Sequence, residues 1–213
     1  MNALRALEPF LRSRSEAAPA RERCGVCAEP IDGDGHGHLV DHEQRALVCA
    51  CPTCARLFAR PDTNGGRFQI VPTRVLVDPA FHLRDAGWAA LGIPVRLAFI
   101  FYNTRLARWV ALYPSPGGAV ETDVPPAAVE ALATATPLIA EVAPDVEALL
   151  IHGRPAATPE TFLVPIDACY RMVGEVRRSW RGMSGGDLVW PRIDSFFDEL
   201  RRRARAFAPG GAD

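Results

Sequence analysis

The chain has no lysine: all 24 of its basic residues are arginine. Schiff-base chemistry and a P-loop both need a lysine amine, so neither is available. No apolar run approaches the ~18 residues that a membrane-spanning helix requires. The sequence also has no nucleophile elbow, no H-E-x-x-H motif, no dinucleotide fingerprint and no paired-carboxylate motif. An enzyme is therefore disfavoured. The formal net charge of -1 gives no overall attraction to nucleic acid or anionic lipid. Nothing at the N-terminus resembles a secretory signal, and a reducing, cytoplasmic setting is expected. With 48% hydrophobic and 23% charged residues, the composition is that of a folded globular protein.

What the chain does have is a concentration of cysteine. Five of its six cysteines lie between residues 24 and 54. Four of them form two C-x-x-C pairs, Cys24/Cys27 and Cys51/Cys54, the spacing of a tetrahedral thiolate metal site. Each pair sets two sulfurs on one tight turn, and Pro52 suits a turn whose N–H is not needed in a ladder. Between the pairs, His38-Leu39-Val40 and Ala46-Leu47-Val48 are short β-prone runs around a polar link, which predicts a hairpin. Residues 55–60 are helix-compatible and stop before Pro61. Knuckle, hairpin, then a second cysteine pair at a helix start is the layout of a treble-clef-like or ribbon-like zinc finger. The helix dipole favours thiolates at that end.

Disulfides are the competing use of these cysteines, and a reducing compartment favours metal. Zinc is the default ion for four thiolates with no open position. Iron, as in rubredoxin, is the minority alternative, because rubredoxin knuckles usually carry glycine where this chain has Ala28 and Ala55. Cys49 lies two residues before Cys51; it is either a substitute ligand or a spare thiol. His36, His38 and His42 are further possible ligands, though such residues are more often solvated loop histidines. Cys169 reads as a small buried hydrophobe on a helix, and His152 as a loop histidine.

The rest of the chain predicts an α+β domain. Residues 2–14 place Leu4, Leu7 and Leu11 at helical spacing, followed by a polar linker to residue 22. Residues 68–71 and 75–77 are short strands interrupted by Pro72, which implies a sheet edge. Residues 81–91 form a helix or turn ended by Gly92. Residues 95–102 and 108–113 form a central hairpin turned by Asn103-Thr104-Arg105, and Tyr113-Pro114-Ser115-Pro116-Gly117-Gly118 reads as a loop leaving it. Short helices over 127–134 and 137–142, strands over 146–151 and 161–164, and two amphipathic helices over 165–180 and 188–207 complete it. The expected division is a helix and linker at 1–22, a four-cysteine module at 23–61, an α+β body with a mixed or antiparallel sheet at 62–208, and a tail at 209–213. The glycine-rich turn at 182–186 lacks the strand-first context of a phosphate loop and reads as a helix connector. The arginines of the last two helices are expected to be solvated faces paired with nearby acids such as Asp198 and Glu199.

Cys24-Gly25-Val26-Cys27, Gly37-His38-Leu39-Val40-Asp41, Cys49-Ala50-Cys51-Pro52-Thr53-Cys54, Phe101-Tyr102-Asn103, Tyr113-Pro114-Ser115-Pro116-Gly117-Gly118-Ala119 and Trp180-Arg181-Gly182-Met183-Ser184-Gly185-Gly186 together resemble an uncharacterised bacterial family. Its members are encoded beside oxygen-tolerant uptake nickel-iron hydrogenases. The resemblance spans nearly all of residues 23–200 and carries no activity with it. It implies a cytoplasmic accessory protein serving hydrogenase assembly or electron flow, with a hydrogenase subunit or maturation factor as partner. Tyr113 and Arg181 are the positions expected to meet that partner. The alternatives are a rubredoxin-like electron carrier and a zinc-ribbon nucleic-acid binder. Against the last stands the lack of basic residues interleaved with aromatics around the finger.

Overall fold

The computed structural model describes residues 22–31, 35–60, 65–115, 118–153, 158–179 and 189–208. The helix expected over 2–14, the glycine-rich turn at 182–186 and Arg181 lie outside the described residues.

Two sheets organise the chain. The small one has the order β2-β1-β3, made of β1 (Gly37–Asp41), β2 (Ala46–Ala50) and β3 (Phe68–Ile70), all antiparallel. A single short helix, α1 (Pro52–Phe58), leaves β2 and packs back on this sheet. The large sheet has seven strands in the order β10-β4-β9-β8-β5-β6-β7. Its members are β4 (Leu76–Val77), β5 (Leu97–Asn103), β6 (Arg108–Ser115), β7 (Gly118–Asp123), β8 (Glu147–His152), β9 (Glu160–Pro165) and β10 (Arg205–Ala206). Among the described residues only the β10/β4 pair is parallel.

The central strands read as unbroken apolar runs because both faces of the large sheet are covered. Alternate residues divide between two cores. Phe99, Phe101, Leu150, Phe162 and Val164 face α5 (Ile166–Ser179) and α6 (Val189–Arg203), while Ile100, Ala111, Leu149, Ile151 and Leu163 face the opposite side. That second side is closed by α2 (Asp85–Leu91), α3 (Pro126–Ala135) and α4 (Leu138–Glu141) through Trp88, Leu91, Leu132 and Leu138. The helix α2 stops at Gly92, whose φ of 66° is the left-handed cap that glycine adopts without strain.

The structure departs from the sequence reading at four places. The stretch after Tyr113 continues as strand to Ser115, which pairs with Gly118 at the start of β7. Pro114 is tolerated because the β5 pairing ends at Leu112, so its missing N–H faces no partner strand. The last helix ends at Arg203, and the chain then runs beside β4 as β10, with Arg205 N–H donating to Val75 O at 3.0 Å. His152 is a strand residue rather than a loop residue; it is buried and stacked on Phe197 with centroids 4.0 Å apart. Finally, the two runs flanking Pro72 do not share a sheet: β3 joins the cysteine-bearing module and β4 joins the body.

The crossing between the sheets is pinned. Val71 and Val75 are buried in the body core, and Arg74 between them makes a two-pronged ion pair with the fully buried Glu147, at 2.7 and 2.8 Å. Val40 and Leu47 of the small sheet pack against the same core. The His38 Nδ1 lies 2.8 Å from Asp167 Oδ2 at the start of α5.

Candidate metal centre

The first cysteine pair sits on a knuckle. Cys24 N–H donates to Glu29 O at 2.8 Å and Ala28 N–H to Cys24 O at 2.9 Å, folding the chain back on itself. Ala28 has a φ of 62°, the left-handed conformation usually given to glycine. Gly25 approaches β2 closely: its N–H donates to Cys49 O at 2.8 Å, and a Cβ there would lie 3.1 Å from Val48 Cβ.

The second pair is built by a helix start. Cys51 is extended and caps α1, its sulfur accepting from Cys54 N–H at 3.5 Å, with Pro52 in the first helical position. No acidic side chain occupies the first turn of α1, so thiolates are the anions nearest its positive end. Knuckle, hairpin and helix thus follow one another in treble-clef order.

The four sulfurs of Cys24, Cys27, Cys51 and Cys54 all lie within 4.8 Å of one another, and Cys27 Sγ to Cys51 Sγ is 3.8 Å. A tetrahedron of sulfurs about 2.3 Å from a zinc ion has edges of about 3.8 Å. A disulfide would need roughly 2.0 Å, and all six cysteines are free thiols. The donor set therefore fits one four-coordinate ion. Cys24 and Cys54 are buried, whereas Cys27 is exposed.

The electrostatics point the same way. Burial opposes ionisation of Cys24, but the N–H groups of Cys27, Cys51 and Val26 and the Cys27 thiol outweigh it and bring the sulfur down to about 6. Burial, then the sulfurs of Cys27, Cys51 and Cys24, push Cys54 far up. At Cys27 the Glu29 N–H favours the thiolate, yet the Cys24 sulfur and burial prevail and raise it. Cys24 is thus the sulfur most ready to carry negative charge, while Cys27 and Cys54 hold their protons more firmly. A dication in the middle would replace those protons.

A family model matches residues 23–204, from the residue before Cys24 through the small sheet and strands β4 to β9 of the large one. The chain belongs to DUF5947, a family of unknown function. No curated protein and no solved structure matches the chain. The span matched in DUF5947 takes in the cysteine knuckle and the body as one unit.

Cys49 stands apart from the four-sulfur cluster. The β2 strand ends at Ala50 and the chain turns into the cap of α1, so Cys51 swings toward Cys24 while Cys49 stays on the strand. The Cys49 Sγ–H donates to Glu22 Oε1 at 3.0 Å, and burial together with that carboxylate pushes the thiol up to about 12. Cys49 is paired across the hairpin with His38. His42 binds Gln69 Oε1 at 3.0 Å and lies 3.7 Å from Asp145, bridging module to body. Cys169 is wholly buried on α5, as a small hydrophobe. Tyr113 is half-buried on β6, opposite Val120.

Sequence reasoning did not find Asp167 as a partner of His38, because 129 positions of chain separate them and only the docking of the module on α5 joins them. It also treated His36, His38 and Cys49 singly. The usable signal was the i, i+2 spacing of the two histidines facing a cysteine across a hairpin.

Proposed function

We propose that this protein is a non-catalytic, zinc-binding accessory protein that works through protein-protein contacts in the cytoplasm, in the assembly, maturation or function of a nickel-iron hydrogenase. The observation that carries the metal reading is the convergence of Cys24, Cys27, Cys51 and Cys54, with two sulfurs 3.8 Å apart. Four thiolates complete a tetrahedral shell and leave no position for an activated water, which is the signature of a structural ion. The hydrogenase context rests on the sequence resemblance alone. Functionally we divide the chain into a metal module, extended through β3, and an α+β body that presents the partner surface. Trp190 and Tyr170, large and exposed on the two C-terminal helices, suit protein contact.

The same sulfurs suit iron. Ala28 holds the left-handed turn at φ 62°, so lack of glycine at that position is no obstacle to a rubredoxin-like knuckle. A visible spectrum separates the ions, since ferric thiolate is coloured and zinc is not. Nucleic-acid binding is less favoured: Arg171, Arg178, Arg192, Arg201 and Arg203 are each paired with a carboxylate of the protein itself.

Metal analysis of protein purified without a metal resin tests the first part, with one tightly held zinc per chain expected. Deleting the gene tests the second. Unchanged hydrogenase activity and maturation in the deletion strain would refute the accessory role.

A further inference from the structure

We infer that His36, His38 and Cys49 form a second, open metal site beside the four-cysteine cluster, for a late first-row divalent cation. This goes beyond the structural ion of the preceding section and does not depend on it.

The placement follows from the hairpin. Side chains paired across an antiparallel ladder share a face. Leu39 and Ala50 are turned into the small core with Cys24 and Cys54. One position along each strand, and so on the opposite face of the hairpin, His38 and Cys49 form a facing pair, next to the pair Val40 and Leu47, which packs against the body. His36 directly precedes β1, and its ring meets that of His38 edge-on with centroids 4.9 Å apart. The ligand atoms of His36, His38 and Cys49 lie within 4.8 Å of one another, and all three side chains are half-buried. Closing onto an ion at about 2.0–2.3 Å needs side-chain movements on the order of 1 Å.

A second, independent observation is the carboxylate behind His38. Metal-bound histidines usually give their other ring nitrogen to a carboxylate or carbonyl, which fixes the tautomer and raises basicity. Asp167 Oδ2 lies 2.8 Å from His38 Nδ1, leaving Nε2 for the ion. His36, His38 and Asp167 also line a cleft of about 660 Å³ between module and body. Three protein ligands leave one tetrahedral position open, and the cleft is where a water or an incoming donor would reach it. Two imidazoles and one thiolate select borderline ions over magnesium or calcium. On binding, the Cys49 S–H bond is replaced by a metal–sulfur bond, and the proton is released to solvent by way of the Glu22 carboxylate that already accepts from it.

The test is cobalt(II) and zinc titration of the 213-residue chain, wild type against His36→Ala, Cys49→Ser and Asp167→Asn. Wild type should take two equivalents, the first with four-thiolate charge-transfer bands and the second, chelator-labile, with the band of a single thiolate. His36→Ala and Cys49→Ser should lose the second equivalent and keep the first, which also reports that the module is folded. Asp167→Asn should weaken the second site roughly 10-fold to 100-fold. A single equivalent in wild type, or a second one that survives both ligand substitutions, overturns the inference. Loss of the first equivalent in wild type, with the second present, would instead overturn the structural-ion reading alone.

Discussion

The ion pair between Arg74 and Glu147 should respond asymmetrically to the loss of either partner. Glu147 is fully buried, whereas the Arg74 side chain is 44% exposed. The carboxylate accepts from Arg74 Nε at 2.7 Å, from Arg74 Nη2 at 2.8 Å and from Ala143 N–H at 3.0 Å. Arg74→Met keeps the apolar stem but strands a buried charge with one donor left, which costs about 3–5 kcal/mol. Glu147→Gln keeps the shape and one oxygen for Ala143 and Nη2. Its amide nitrogen opposes Nε, but a half-exposed guanidinium can turn to water, so the cost falls to about 1–2 kcal/mol. For a chain of this length those values correspond to melting shifts of roughly 6–20 °C and 2–8 °C. Scanning calorimetry and urea melts followed by tryptophan fluorescence would measure both. A Glu147→Gln penalty equal to or larger than that of Arg74→Met would refute the reasoning. Because Arg74 sits where the chain crosses between sheets, Arg74→Met should also loosen the module, seen as faster amide exchange in β1 and β3.

Three further outcomes are expected. Replacing Ala28 by glycine should be neutral or stabilising by up to about 1 kcal/mol, because relief of the left-handed strain outweighs the entropy of glycine; Ala28→Val should destabilise, and thermal melts of the metal-loaded variants compare the two. Arg67 donates to Asp41 and holds its carboxyl below the ordinary value of 3.8. A depressed carboxylate stabilises fully above its unfolded value and loses that contribution as pH falls through the folded one, so the acid limb below about pH 4 should be shallower in Asp41→Asn, read from stability against pH. Removing the metal with a strong chelator should raise amide exchange in β1, β2 and α1 while β5, β8 and β9 stay protected. The reason is that the module core is small, whereas the body has two large cores of its own.

Local signals were legible in the sequence, and long-range pairings were not. The two C-x-x-C pairs, the hairpin between them, the β5/β6 hairpin and the two amphipathic C-terminal helices announce themselves through spacing and periodicity. The partner of β3 is not written in Phe68-Gln69-Ile70, since a three-residue strand can join either sheet; the burial of Val71 and Val75 settles the crossing. Strand β7 was hidden by Pro114 and the glycines after it, which read as loop until the end of the β5 pairing shows why proline fits. The helical layer of α2, α3 and α4 was visible as pieces, but not as the cover of a second sheet face. At the site, the tetrad was legible from spacing alone. Whether Cys49 joined it depended on a one-residue difference in where β2 ends. The Asp167 partner of His38 emerges only from tertiary docking.

The central claim is that four sulfurs from a knuckle and a helix start enclose one ion. X-ray absorption at the zinc edge, on protein carrying one equivalent of zinc, tests it most directly. Four sulfur neighbours at about 2.3 Å, with no nitrogen or oxygen in the shell, are predicted. A shell with fewer than four sulfurs, or protein that takes up no zinc because Cys24, Cys27, Cys51 and Cys54 are joined as disulfides, would contradict it.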